Sequence, residues 1–174
     1  DLTTGKLLPI AGPEELFTHA VPIEYDEDAD TDPALAFFRN YFPLEAMDQE
    51  KQDSLVCFMR DWLGYCLTAD TGLEMRVWFL GGGSNGKTVL SEMIAAVLGK
   101  VEDGGVHSSL PISSLCKGRG VNNDSMSDAV RARHLTVSEI DPNTQINEAG
   151  FRALVSGEEM HLKKMYKSET KCRP

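Results

Sequence analysis

Gly81, Gly86, Lys87 and Thr88 stand at the spacing Gly-x4-Gly-Lys-Thr, inside the run FLGGGSNGKTV. This combination suits the binding of a phosphate chain. Glycine tolerates positive φ and lets the main chain pass close to a ligand, so that successive N–H groups converge on phosphate oxygens. Gly81, Gly82, Gly83, Ser84 and Asn85 would form that wrap, and Gly86 would turn the chain into a helix whose first amides, to Val89, add a positive dipole end. Lys87 would carry its charge to the β- and γ-phosphates, and the Thr88 hydroxyl would ligate Mg²⁺. ATP and Mg²⁺ are the expected cofactors. A glycine-rich turn with an accidental Lys-Thr is the alternative. The pattern stands between a β-prone run and a helical one, which is the context the chemistry requires.

A magnesium–triphosphate site also needs a carboxylate at the end of a neighbouring strand. The stretch HLTVSEID supplies Glu139, about fifty residues after Thr88, with Asp141 close behind. Glu139 is the candidate for holding Mg²⁺ or polarising an attacking water. Asp141 reads more readily as a surface acid in a turn. A second chemistry-bearing cluster lies further on, where Lys163, Lys164, Lys167 and Lys171 surround Met165 and Tyr166. Lysines interleaved with an aromatic ring offer charge to a nucleic-acid backbone and a face to a base. The same lysines would also serve to protect an exposed strand edge.

The elements that must position these groups follow from periodicity. RVWFL (76–80) is a short β-prone run ahead of the glycines, and the pattern from Lys87 to Leu98 is an amphipathic helix stopped by Gly99. RHLTVSE (133–139) reads as a second strand. PISSL and NNDSMSDAVRA read as helical pieces, and NEAGFRALVSG (147–157) as a helix capped by Asn147 and ended by Gly157. The segment from Glu158 onward reads as strand and turn. Upstream, Asp32 followed by Pro33 predicts a helix start at ALAFFRNYF. A second helix is expected over 46–67, with Leu55, Phe58, Met59, Trp62 and Leu63 as its apolar stripe. The alternation of strand and helix from residue 76 onward argues for an α/β core.

Composition excludes several classes. The chain has 174 residues, 41% hydrophobic and 25% charged, which is globular in character. No apolar stretch reaches the roughly 20 residues that span a bilayer. Cys57, Cys66, Cys116 and Cys172 lack the spacing of a zinc site and read as thiols in a reducing compartment. Net charge is −10, distributed as −11 over residues 1–71, −3 over 72–159 and +4 over 160–174. An acidic whole argues against nucleic-acid binding over the entire surface, and the basic end permits a narrow contact.

Taken in order, these segments resemble the superfamily III helicases, in the branch of phage, plasmid and large DNA-virus primase-helicases. GGGSNGKT is similar to the family's phosphate loop, RHLTVSE to its Ser-Glu strand, and FRALVSGEEMHLKKMYK (151–167) to its Gly-Gly-Asp segment and basic hairpin. FTHAVPIEYDEDAD and LGYCLTAD resemble the helical domain that precedes the motor. Arg152, Ser156, Glu158 and Lys163 depart from the family's usual Lys, Gly, Asp and Arg. The resemblance implies a P-loop NTPase (AAA+-like) core, with a central β-sheet flanked by helices, over residues 76–174, after an acidic region and small helical domain over 1–75. It implies ATP hydrolysis driving movement on single-stranded DNA, a homo-oligomeric ring, usually a hexamer, and a channel hairpin that assigns the DNA contact to Lys163, Lys164, Tyr166 and Lys167. Lys87 and Glu139 would be the catalytic pair and Thr88 and Glu139 the metal ligands. A strand ending in a sensor Asn and an arginine finger would follow Pro174, so this segment is expected to be part of a longer motor. The expected setting is the cytoplasm or a host-cell replication compartment, with no membrane partner. A phosphoryl-transfer enzyme using Arg119, Arg131 and Arg133 as a lid, and a module that binds nucleotide without turnover, are the rival expectations.

Overall fold

The computed structural model describes residues 4, 6, 8–9, 19–68, 70–83, 85–116, 123–137, 143–163 and 169–172. Helix α1 (Asp32–Tyr41) carries proline in its first turn, with Thr31 rather than Asp32 at the cap position. The one-residue shift places the Asp32 carboxylate in the first turn, where the helix dipole favours it. Helix α2 (Gln49–Tyr65) begins where the Asp48 side chain accepts from the Lys51 amide at 2.8 Å, later than the expected 46. Its buried face is Gln52, Val56, Met59 and Trp62. Phe58 is 41% exposed, because it sits one residue off that face. Gln52 is buried without cost to its amide: Nε2 donates to the carbonyls of Arg39, at 3.1 Å, and Phe42, at 2.6 Å, tying α2 to the end of α1.

Helix α3 (Lys87–Leu98) has the limits its sequence implies, ending at Gly99. Leu90, Ile94 and Leu98 recur every fourth residue and are buried against Phe38 of α1 and Val56, Met59 and Trp62 of α2. One apolar cluster therefore draws on residues both before and after position 76. The segment leading into α1 also joins it, through Val21 and an Ala20 amide donating to Gly104 O at 2.8 Å.

Strand β1 (His107–Leu110) runs parallel to β2 (His134–Val137), with His107 opposite His134. β1 was not legible in the sequence, because HSSL contains a single large apolar residue. A short 3₁₀ turn (Ile112–Leu115) and helix α4 (Asn123–Ala129) lie between the two strands in sequence. Leu110, Leu115, Met126, Ala129 and Val130 form a second buried cluster, against which Leu135, Val137, Phe151 and Leu154 pack. Helix α5 (Glu148–Ser156) is capped by Asn147 and stopped by Gly157, as expected. β3 (Met160–Lys163) and β4 (Glu169–Cys172) pair antiparallel, with Lys163 opposite Glu169.

The run 76–80 differs from expectation. It alternates as a strand does, with Val77 and Phe79 half-buried and Arg76, Trp78 and Leu80 exposed, yet it pairs with no strand among the described residues. Side-chain packing holds it instead: Phe79 meets Trp62 at 5.9 Å between ring centroids. Among the described residues, no helix is long and apolar enough to cross a membrane.

Candidate phosphate-binding site

The glycine loop is delivered from 76–80 and ends on α3. Alternation fixes its approach. Val77 and Phe79 face the α1–α2–α3 core. Arg76 and Trp78 face the other way and meet Phe151 of α5, the guanidinium at 5.8 Å and the indole at 6.5 Å from its ring centroid. Trp62 touches both the Phe79 ring and, at 5.5 Å, the His134 ring at the start of β2. The segment before the loop is thus wedged between α2 and α5.

Gly86 ends the loop at φ 80°, ψ 1°, a left-handed conformation that costs a side-chain-bearing residue roughly 1–2 kcal/mol. A Cβ there would also stand 3.4 Å from the Tyr41 ring, so α1 abuts the loop. Burial raises the Tyr41 phenol above its ordinary pKa. Leu90 N donating to Gly86 O at 2.9 Å is the first helical bond of α3. The amides of Lys87, Thr88 and Val89 precede it, and Gly86 has no side chain to cap them. Thr88 and Val89 are exposed. These donors, on open glycine backbone beside a lysine, suit a phosphate group.

Lys87 is half-buried and turned inward. Its Nζ donates to Gly81 O at 2.9 Å, Gly82 O at 2.8 Å and Asn85 Oδ1 at 2.7 Å. A Cβ on Gly81 would fall within the Asn85 side-chain amide, whereas Gly82 and Gly83 face open space. The structure thus brings together Gly81, Gly82, Gly83, Asn85, Gly86, Lys87, Thr88 and Val89.

Other expected residues are placed less fully. Ser84, Glu139, Asp141, Lys164, Tyr166 and Lys167 lie outside the described residues. β2 ends at Val137, two positions before Glu139 in the sequence. Lys163 closes β3, one strand of the expected basic hairpin. No group of three His, Cys, Asp or Glu side chains suited to a metal occurs among the described residues.

Two features escaped sequence reasoning. Tyr41 stands 45 residues before Gly86, and nothing in its helix marks it as a neighbour of the loop. The other is a buried histidine pair, with His107 Nδ1 2.9 Å from His134 Nδ1, so one neutral ring donates to the other. Burial, then the neighbouring His107 charge, drives His134 down to about 4. Burial chiefly lowers His107 as well, opposed by a hydrogen bond with the His134 main chain and aided by Lys100. No periodicity marks either histidine, since the pairing depends on strand register.

Compared with known proteins, the chain matches no protein-family model and no curated sequence.

Proposed function

We propose that this chain belongs to an ATP-driven helicase or translocase motor of the superfamily III type, acting on single-stranded DNA as a homo-oligomeric ring. The observation that carries the nucleotide part is the junction at Gly86. A glycine-rich backbone turns there through positive φ onto the uncapped first turn of α3, with Lys87 and Thr88 at its mouth. Backbone amides and one ammonium group would grip the phosphates, and Thr88 with Glu139 would hold Mg²⁺. A magnesium ion held by Thr88 and Glu139 would supply positive charge to offset that of the phosphates. Glu139, two positions beyond β2, would polarise the attacking water.

The DNA part rests on the order of elements after the loop. Lys87 would contact a γ-phosphate directly, and Glu139 through water, before hydrolysis and not after it, and that difference would bias a two-state element. Helix α5 is the proposed element. Phe151 touches Arg76 and Trp78 just ahead of the loop, and the helix leads through Gly157 into the β3–β4 hairpin. Lys163 at the end of β3, with Lys164, Tyr166 and Lys167 after it in sequence, would follow the DNA strand. The −3 middle and +4 end of the chain support a contact confined to this region.

Calorimetry with magnesium-ATP tests the core of this reading. The folded protein is expected to bind, and Lys87→Ala to weaken binding about 10- to 100-fold through loss of charge-assisted hydrogen bonds. Absence of binding by the parent protein, or unaltered binding by the variant, refutes the nucleotide site. Phosphate release by the full-length protein that single-stranded DNA stimulates supports the motor. Release that requires a small acceptor would indicate a kinase, and tight binding without release a module for assembly alone.

A further inference from the structure

Lys87 is the cation on which the loop's chemistry depends, and its ammonium group is committed to the loop itself. An ammonium has three hydrogens to donate. Gly81 O, Gly82 O and Asn85 Oδ1 take all three, and the Asn85 bond, at 2.7 Å, is the shortest. Two of these acceptors are main-chain carbonyls that any residue would supply. The third is a side chain, and the chain is shaped around it. Gly86 stands between positions 85 and 87 at φ 80°, turning the backbone so that the two side chains meet. Gly81 leaves the space that the Asn85 amide fills, and its missing Cβ would also come within 3.7 Å of Lys87 Nζ.

We propose that Asn85 is the positioning residue of this loop: its carboxamide oxygen holds the Lys87 ammonium inward, and a phosphate group engages that lysine by displacing Asn85. The chemistry of the side chain fits this task. An amide oxygen accepts strongly from a cation but brings no charge, so it holds the lysine without neutralising it and without repelling a phosphate. A carboxylate at position 85 would neutralise the lysine and repel a phosphate, and alanine would offer no acceptor to hold the lysine. The consequence for nucleotide affinity rests on the function proposed above, whereas the holding of Lys87 does not.

Competitive acetylation with acetic anhydride, resolved by peptide mass spectrometry on folded protein without nucleotide, reads the lysine directly. Lys51, on the exposed side of α2, is the internal reference. Lys87 is expected to react about 10- to 100-fold more slowly than Lys51, since one charge-assisted hydrogen bond is worth about that factor. Asn85→Ala is expected to remove most of the difference, and Gly81→Ala, which pushes the amide aside, to do the same by an independent route. Asn85→Gln, with an amide one methylene further out, is expected to restore part of the protection. Equal rates for Lys87 and Lys51 in the parent protein overturn the proposal, as does an Asn85→Ala variant whose Lys87 stays protected. In calorimetry, Asn85→Ala is expected to bind magnesium-ATP about 5-fold more tightly, because Lys87 is released more readily. Weaker binding would make Asn85 a direct phosphate ligand and overturn its positioning role. A parent protein that binds no magnesium-ATP defeats the nucleotide reading alone, and the acetylation rates still decide whether Asn85 holds Lys87.

Discussion

Single residues set the closest tolerances in this molecule, and Gly105 shows this away from the site. A Cβ there would overlap the Gly99 backbone, with Cα at 2.7 Å, just past the end of α3. No flexible side chain stands in the way to be moved, so the strain must be taken by main chain that also anchors Val106 and His107, whose amides donate to Leu98 O and Gly99 O at 3.1 Å and 2.8 Å. Gly105→Ala is expected to lower stability by about 2–4 kcal/mol in urea unfolding. Gly82→Ala, facing open space, is the control and should change stability by less than about 1 kcal/mol. Matching midpoints for the two variants would show that the Gly99–Gly105 approach does not constrain the fold.

Among the elements, the β1–β2 pair carries a pH dependence that follows from its histidines. Both rings are buried and both pKa values are lowered, so the folded state keeps them neutral. The unfolded chain takes up protons below about pH 6.5. Stability from this pair is therefore full above that pH and is lost as pH falls from 6.5 towards the value of about 4 for His134. His19, lowered by burial and then by Arg131 and Arg133, acts in the same direction. Between pH 7 and pH 5 the His134 contribution alone is expected to cost about 2 kcal/mol. Urea titrations at the two pH values measure it, and a flat profile would mean that these rings are solvated.

For the whole molecule, charge and connectivity combine. The −11 of residues 1–71 would repel a DNA strand, whereas residues 160–174, which include β3 and β4, carry +4. Lys163→Ala with Lys164→Ala is expected to leave magnesium-ATP affinity unchanged and to weaken single-stranded DNA binding. Two lost phosphate contacts should flatten the slope of log affinity against log salt by about 1.4. Filter binding across a salt series tests this. An unchanged slope would remove the hairpin from the DNA path, while loss of ATP affinity as well would mean that the substitutions disturb the fold.

Local signals determined a good part of this protein. α3 runs from Lys87 to the stop at Gly99, and α5 from the Asn147 cap to Gly157, because capping residues, glycine and helical spacing act over a few positions. The glycine-rich turn onto α3 was legible for the same reason, as glycines and a lysine at fixed offsets. What tertiary structure alone decided depends on partners distant in sequence. The face of α2 turned out to exclude Phe58 and include Gln52, because α1 presents carbonyls there. HSSL became a strand because HLTV lies beside it, and RVWFL is held by packing against Trp62 instead of by a ladder. The Lys87 ammonium faces Asn85 because a left-handed glycine folds the chain back between them. Spacing announces which residues are able to do chemistry; only the folded chain sets which acceptor each one holds.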